Sequence, residues 1–126
     1  MLSKLCCKKM KKLYYLSTCD TCKRIIKELQ PLDNFEMQDI KVNSISKNDL
    51  EKMQNLAGSY EALFSKRARL YKERNLKEKS LSKEDYKKLI LEHYTFLKRP
   101  VLINGNHIFI GNSKKTVADA KLNIHS

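Results

Sequence analysis

The chain has 126 residues and a mass of 14.8 kDa, which is the size of a single domain. Hydrophobic residues make up 41% of it and charged residues 32%, a balance that excludes a disordered polyelectrolyte. No apolar run approaches the ~20 residues that a membrane-spanning helix needs, and the N-terminus lacks the apolar stretch of a signal peptide. We therefore expect a cytoplasmic protein that does not contact membranes.

The chain is strongly basic, with a formal net charge of +12. Part of the excess lies near the N-terminus, where five lysines within the first twelve residues face no acid, so we expect residues 1–10 to be a basic tail, with Met10 as an alternative start. A further excess lies in residues 64–99, which hold twelve basic and five acidic side chains. This stretch could bind nucleic acid or guide an anionic substrate, but solubility is the simplest interpretation.

The first elements follow one another closely. The aromatic and apolar run at residues 12–16 predicts a buried strand, and a short polar loop containing Cys19 follows it. From Cys22 onward apolar residues recur at helical spacing until Pro31, which predicts an amphipathic helix. This part of the chain therefore has the order strand, Cys-x-x-Cys, helix.

The middle of the chain predicts a second strand at residues 35–40 and then mostly helices. Ser46 is placed to cap a helix that Gly58 ends, and Ser82 with Asp85 predicts another capped helix. Between these two helices the pattern of residues 60–76 is helical and very basic.

The last part of the chain contains the strongest hairpin signal. Two β-rich runs, residues 101–103 and 107–110, flank Asn104-Gly105-Asn106, and an amphipathic helix with Val117 and Ala120 on its apolar side follows. The whole order is β-α-β-α, a helical insertion at about residues 60–98, and β-β-α. We therefore predict an α/β protein of thioredoxin-like fold, with a mixed four-stranded sheet in a single domain over residues 11–126.

All four cysteines lie within the first 22 residues, which argues against a secreted disulfide framework. A zinc site is disfavoured because Cys6 and Cys7 are adjacent and a strand separates them from the later pair, so we expect no metal.

Cys19 precedes a helix N-terminus, where the helix dipole and unpaired backbone N–H groups favour the thiolate. Cys22, one turn inside the helix, is suited to resolve a mixed disulfide, although an inert pair remains the alternative. Asp20 between the two cysteines opposes thiolate formation if it lies close.

Four stretches together resemble the ArsC/Spx family of arsenate reductase-like proteins. They are Tyr15–Lys23 (YLSTCDTCK), Ser65–Arg67 (SKR), Glu92–Val101 (EHYTFLKRPV) and Gly111-Asn112, and they occur in the family's order and spacing. The resemblance extends from about Lys11 to Leu122. It implies a thioredoxin-like fold with a helical insertion.

The resemblance also implies roles for individual residues. Cys19 matches the cysteine that attacks arsenic, Cys22 matches the internal resolving thiol of Spx-like members, and Arg99 matches an arginine that holds the oxyanion. Pro100 is expected to follow a cis peptide bond and, with Thr21, to shape the site.

The match departs from the arsenate reductases at two cationic positions. A second family arginine aligns near Ser65, where the nearest arginine here is Arg67, and a third aligns near Gly111. We therefore expect Arg67 to complete the anion site with Arg99, and the case for arsenate as the natural substrate is weakened.

Two functions follow from the resemblance. The first is a thiol-dependent oxidoreductase, nominally an arsenate reductase, which binds no cofactor and acts as a monomer on a small oxyanion or thiol-linked substrate. Its reductant would be glutathione with glutaredoxin, or thioredoxin. The alternative is a redox-sensing regulator of the Spx type that contacts RNA polymerase, which this chain resembles in the Cys-x-x-Cys and in Gly58 near the end of the second helix. A nucleic-acid binder is the least favoured function, because no aromatic stacking platform is present.

Overall fold

The computed structural model describes residues 10–125. Three expectations concern residues 1–9 and therefore lie outside the described residues. They are the basic tail, the adjacent Cys6 and Cys7, and the choice between Met1 and Met10 as the start. The strands are β1 (Lys11–Tyr15), β2 (Glu36–Asp39), β3 (Val101–Asn104) and β4 (His107–Ile110). The α-helices are α1 (Asp20–Leu29), α2 (Lys47–Ala57), α3 (Arg69–Glu73), α4 (Lys83–Glu92) and α5 (Lys114–His125). Short 3-10 turns lie at Glu61–Leu63, Leu76–Glu78 and Tyr94–Phe96.

The described residues form two compact units. The first consists of residues 10–39 and 99–125 and contains the whole sheet with α1 and α5. The second consists of residues 40–98 and contains α2, α3 and α4. No helix within residues 10–125 is long and apolar enough to cross a membrane.

The sheet of the first unit has the strand order β2-β1-β3-β4. Strand β1 is parallel to β2, with Tyr15 opposite Asp39, and antiparallel to β3, with Tyr14 opposite Val101. Strands β3 and β4 form an antiparallel hairpin. The predicted mixed four-stranded sheet, in which a parallel β-α-β unit meets a hairpin, is confirmed.

This topology collects three chain segments at one edge of the sheet. Parallel neighbours end on the same side, so β1 and β2 both finish at this edge. Strand β3 runs in the opposite direction and therefore begins there. The loop after β1, the last residue of β2 and the residues before β3 consequently lie near one another.

The hairpin turn is shorter than Asn104-Gly105-Asn106. Asn104 remains in the ladder opposite His107, so the loop consists of Gly105 and Asn106. Gly105 has a φ of +64°, a conformation that glycine adopts without a steric penalty and that suits the first position of a two-residue hairpin loop.

A hydrophobic cluster of the first unit lies on the face of the sheet that α1 and α5 cover. Val117 and Ala120 of α5 lie on the buried side of that helix, as the sequence pattern predicts. They pack in one cluster with residues of the strands, α1 and the loop after α1, whose buried members are Leu13, Ile25, Leu29, Leu32 and Leu102. The packing fixes the position of α1 against the sheet.

The helix ends predicted for the second unit are confirmed. Ser46 accepts a hydrogen bond from the backbone N–H of Asp49 at 3.0 Å, and Gly58 ends α2 in the left-handed conformation with a φ of +98°. Ser82 and Asp85 form a reciprocal capping box at the start of α4.

The segment at residues 60–76 is not the continuous helix that its pattern predicts. Phe64 is extended, the backbone N–H of Ser65 donates to the carbonyl of Phe96 at 2.7 Å, and that of Lys98 donates to the carbonyl of Leu63 at 2.8 Å. This backbone pairing interrupts the helical pattern, which resumes only in the five residues of α3. The aromatic rings of Phe64 and Phe96 stack here at a centroid distance of 5.3 Å.

His93 lies directly after α4, which ends at Glu92. Its backbone is extended, and its Nδ1 accepts the backbone N–H of Thr95 at 3.2 Å. His93 therefore caps the 3-10 turn that follows, which is a structural role.

Candidate active site

The loop between β1 and α1 places Cys19 at the start of a helix. Its backbone N–H donates to the carbonyl of Leu16 at 3.0 Å, which closes a tight turn, and its own carbonyl accepts the first helical hydrogen bond from Lys23 at 3.1 Å. Cys19 is the N-cap residue of α1, with an extended backbone, and its thiol is partly exposed. A nucleophile in this position is accessible to solvent and faces the unpaired N–H groups of the first helical turn.

The surroundings of Cys19 favour its thiolate. Partial burial opposes the charged form, but the backbone amide of Cys22, the side chain of Cys22, the backbone amide of Thr21 and the charge of Arg99 outweigh it. The pKa of Cys19 is therefore lowered from its ordinary value. A lowered pKa at a helix N-terminus is the usual mark of a reactive cysteine.

Cys22 has the opposite character. It is fully buried on the inner side of α1, and this burial, together with the hydrogen bond and the negative charge of Cys19, raises its pKa to about 11. A backbone contact with Leu16 and the charge of Arg99 act in the other direction but do not compensate. At neutral pH Cys22 is thus a protonated thiol whose hydrogen bond to Cys19 stabilises the thiolate.

Arg99 and Pro100 precede β3 at the same edge of the sheet as the cysteine loop. The charge of Arg99 lowers the pKa of both cysteines, so its guanidinium lies within electrostatic range of the two sulfur atoms. The Arg99–Pro100 peptide bond is cis, as the family resemblance implies. The carbonyl of Pro100 accepts the backbone N–H of Gly111 at 2.9 Å, which connects this turn to the end of β4.

The structure brings together most, but not all, of the residues singled out in the sequence. Cys19, Thr21, Cys22 and Arg99 act on one another within the first unit, Thr21 through its backbone amide. Arg67 is an exposed residue of the second unit, between the 3-10 turn at Glu61–Leu63 and α3. Its part in an anion site remains a prediction.

Asp39 is a residue at this edge that the sequence analysis missed. It ends β2, is half-buried, and its Oδ1 accepts the backbone N–H of Ser17 at 3.3 Å. The parallel pairing of β1 with β2 creates this contact across 22 positions of sequence, and no local motif marks the residue.

Within residues 10–125, no group of three or more histidine, cysteine, aspartate or glutamate side chains is placed to hold a metal ion. Cys19 and Cys22 are both free thiols. The site contains a thiol that favours its thiolate form, a second thiol and the charge of a guanidinium.

Solved structures of known proteins resemble this fold over most of their length. An arsenate reductase from Vibrio cholerae superposes with a TM-score of 0.74 at 19% identity, covering 89% of this chain and 98% of its own. An arsenate reductase (ArsC) related protein from Brucella melitensis gives 0.67 at 16% identity, with coverages of 89% and 94%. A Staphylococcus aureus protein solved in solution gives 0.71 at 26% identity, with coverages of 87% and 97%. These similarities establish the thioredoxin-like fold of the arsenate reductase type.

No curated protein sequence matches the chain. The sequence profile of the ArsC family, however, matches residues 14–120, which include both cysteines and the Arg99–Pro100 turn. This match covers most of the 126 residues and agrees with the fold and with the placement of the thiols. The chain belongs to the ArsC family.

Proposed function

We propose that the protein is a thiol-dependent oxidoreductase in which Cys19 is the nucleophile and Cys22 the resolving thiol. The observation that carries this proposal is the contrast between the two cysteines. Cys19 is accessible, with a lowered pKa at a helix N-terminus, whereas Cys22 is buried, with a raised pKa, and is hydrogen-bonded to Cys19. Cys19 is therefore suited to attack a substrate as a thiolate, and Cys22 remains a protonated thiol hydrogen-bonded to it.

The nominal substrate is a small oxyanion, with arsenate as the family's example. In the first step the Cys19 thiolate attacks arsenic, a sulfur–arsenic bond forms, and the hydroxyl oxygen of hydrogen arsenate takes up a proton from solvent and leaves as water. Negative charge accumulates on the remaining oxygens, and we expect Arg99, whose charge already acts on both cysteines, to stabilise it, with Arg67 as a second candidate cation. A guanidinium suits this role because its fork of N–H donors matches a tetrahedral oxyanion.

In the second step the Cys22 sulfur attacks the Cys19 sulfur. The sulfur–arsenic bond breaks, its electron pair stays on arsenic, and the proton of Cys22 goes to the departing arsenite. Arsenic is reduced from the +5 to the +3 state, and the two cysteines are oxidised to a disulfide. Two external thiols, from glutathione with glutaredoxin or from thioredoxin, then return the pair to the dithiol.

The first step changes the surroundings of Cys22. Two of the causes that raise the pKa of Cys22 are the hydrogen bond to Cys19 and the charge of Cys19, and both depend on the thiolate. Bonding of Cys19 to the substrate removes both, and the anionic oxygens of the adduct take the place of the thiolate charge. Arg99, whose charge lowers the pKa of Cys22, is the group that we expect to offset them.

Arsenate-dependent turnover tests the proposal. The purified protein is supplied with glutathione plus glutaredoxin or, separately, with thioredoxin, and arsenite release is measured for the wild type and for Cys19→Ser and Cys22→Ser. We expect Cys19→Ser to abolish turnover with either donor. Cys22→Ser should abolish it with thioredoxin and spare part of it with glutathione, which can replace the internal thiol. Wild-type turnover that survives Cys19→Ser would contradict the proposal.

The alternative is a redox-sensing regulator that contacts RNA polymerase, with the same cysteine pair switching that contact by its oxidation. The cysteine pair supports both functions, whereas Gly58, the other feature that favours the regulator, has a sufficient structural explanation as the left-handed end of α2. We therefore favour the oxidoreductase. Capture of RNA polymerase by the oxidised but not the reduced protein, with no turnover of arsenate, would favour the regulator.

A further inference from the structure

The loop that carries Cys19 is attached to the sheet by one side chain of a neighbouring strand. Asp39 is the last residue of β2, directly opposite Tyr15, the last residue of β1. Tyr15 is followed in sequence by the cysteine loop, and Asp39 by the first residues of the second unit. The carboxylate of Asp39 accepts a hydrogen bond from the backbone N–H of Ser17, at 3.3 Å.

Ser17 lies inside the tight turn that sets the position of Cys19. The backbone N–H of Cys19 closes that turn on the carbonyl of Leu16, so residues 16–19 form one small unit. A hydrogen bond to Ser17 therefore restrains the whole turn, including the extended backbone of Cys19 at the helix N-cap. The amides of Thr21 and Cys22 can stabilise the Cys19 thiolate only when the sulfur is held over the first turn of α1.

We propose that Asp39 is a positioning residue for Cys19, holding the loop of residues 16–19 in the conformation in which the thiol lies over the N-terminus of α1. Asp39 acts through the backbone of Ser17 and does not take part in the reaction itself. This inference rests on the proposed function only in that Cys19 is the nucleophile. It holds for any substrate that the thiolate attacks.

The hydrogen bond, rather than the charge of Asp39, carries the effect. A carboxylate near a thiolate disfavours the anion, so the charge alone would lower the reactivity of Cys19. The groups that act on the Cys19 thiolate are Cys22 and the Thr21 amide on α1 and Arg99 before β3. An amide oxygen at residue 39 can accept from Ser17 as a carboxylate does, whereas a methyl group cannot.

The test compares Asp39→Ala with Asp39→Asn by the rate at which iodoacetamide alkylates Cys19, followed over pH by peptide mapping. We expect Asp39→Ala to slow alkylation at neutral pH about fivefold, the order that loss of one positioning hydrogen bond produces, and to move the pH midpoint upward. Asp39→Asn should keep a rate within about twofold of the wild type, because it retains the acceptor. Asp33→Ala, which removes an exposed carboxylate of the same unit, is the matched control and should change nothing.

Two results would overturn the inference. In the first, Cys19 of Asp39→Ala is alkylated at the wild-type rate. In the second, Cys19 of Asp39→Asn is alkylated as slowly as that of Asp39→Ala, which would mean that the hydrogen bond does not cause the slower alkylation. If Asp39→Ala does not fold, hydrogen exchange of the Ser17 amide in the wild type decides the matter. Protection is expected, and exchange at the rate of an unstructured chain would refute the contact. Alkylation needs neither arsenate nor a reductant, so its outcome is independent of the turnover assay.

Discussion

Cys19 and Cys22 are the same residue type one helical turn apart, and their positions alone make them chemically different. Cys19 stands at the N-cap, where its sulfur meets amides and the charge of Arg99, and its pKa is lowered. Cys22 points into the core, where burial raises its pKa to about 11. The sequence predicts this contrast, because Cys22 opens the apolar stripe of the helix and Cys19 precedes it. The supporting contact of Asp39 could not be predicted, since it depends on which strand pairs with β1.

Two substitutions of Arg99 distinguish the effect of its positive charge on Cys19 from the effect of its guanidinium geometry on substrate binding. Its positive charge lowers the pKa of Cys19, so Arg99→Gln should raise that pKa and shift the pH midpoint of Cys19 alkylation upward. Arg99→Lys retains the charge and should leave the midpoint close to the wild type. Because lysine lacks the guanidinium fork, Arg99→Lys should still raise the arsenate KM. Equal midpoints for all three proteins, measured by the pH dependence of alkylation, would exclude Arg99 from the site.

The elements differ in how well their sequence predicts them. The boundaries of α2 and α4 follow from Ser46, Gly58 and the capping box at Ser82, each a local signal that the structure uses as expected. Residues 60–76 carry an equally helical pattern, yet backbone pairing of Ser65 with Phe96 breaks it. A helix cap depends on residues within one turn of each other, so it can be recognised in the sequence. The pairing of two segments 31 positions apart has no corresponding local sequence motif.

Gly58 provides a test at this scale. Its φ of +98° is unfavourable for any residue with a Cβ, although no atom lies within 4 Å of where that Cβ would be. Gly58→Ala should therefore destabilise the protein by about 1 kcal/mol through backbone strain alone. Urea unfolding would measure this loss, while alkylation of Cys19 should be unchanged. A fully stable Gly58→Ala protein would mean that α2 ends differently.

At the scale of the whole molecule, the first unit holds an apolar cluster between the sheet and two helices that lie far apart in the sequence, α1 and α5. The apolar strand runs, the periodicity of α1 and the hairpin signal allow a mixed four-stranded sheet to be predicted from local patterns, whereas the strand order β2-β1-β3-β4 depends on pairings between distant segments. The role of Arg67 is different, because its placement in the second unit does not follow from any local pattern.

Leu102 tests the importance of this core for stability. It is 2% exposed and lies in the central cluster with Leu13 and Val117. Leu102→Ala should reduce the free energy of unfolding by ~2–5 kcal/mol, since the cavity cannot fully collapse. Leu122 on α5 is 73% exposed, so Leu122→Ala is the control and should change stability by less than about 0.5 kcal/mol. Similar losses for both variants in denaturant unfolding would contradict the placement of the core.

Competitive alkylation over pH distinguishes Cys19, the proposed reactive thiol, from Cys22, its buried partner. Limiting iodoacetamide is added to the reduced wild-type protein from pH 5 to pH 10, and peptide mapping assigns the modification to each cysteine. We predict that Cys19 is modified well before Cys22, with a pH midpoint below the ~8.5 of an ordinary thiol. Equal modification of the two cysteines, or earlier modification of Cys22, would contradict the account.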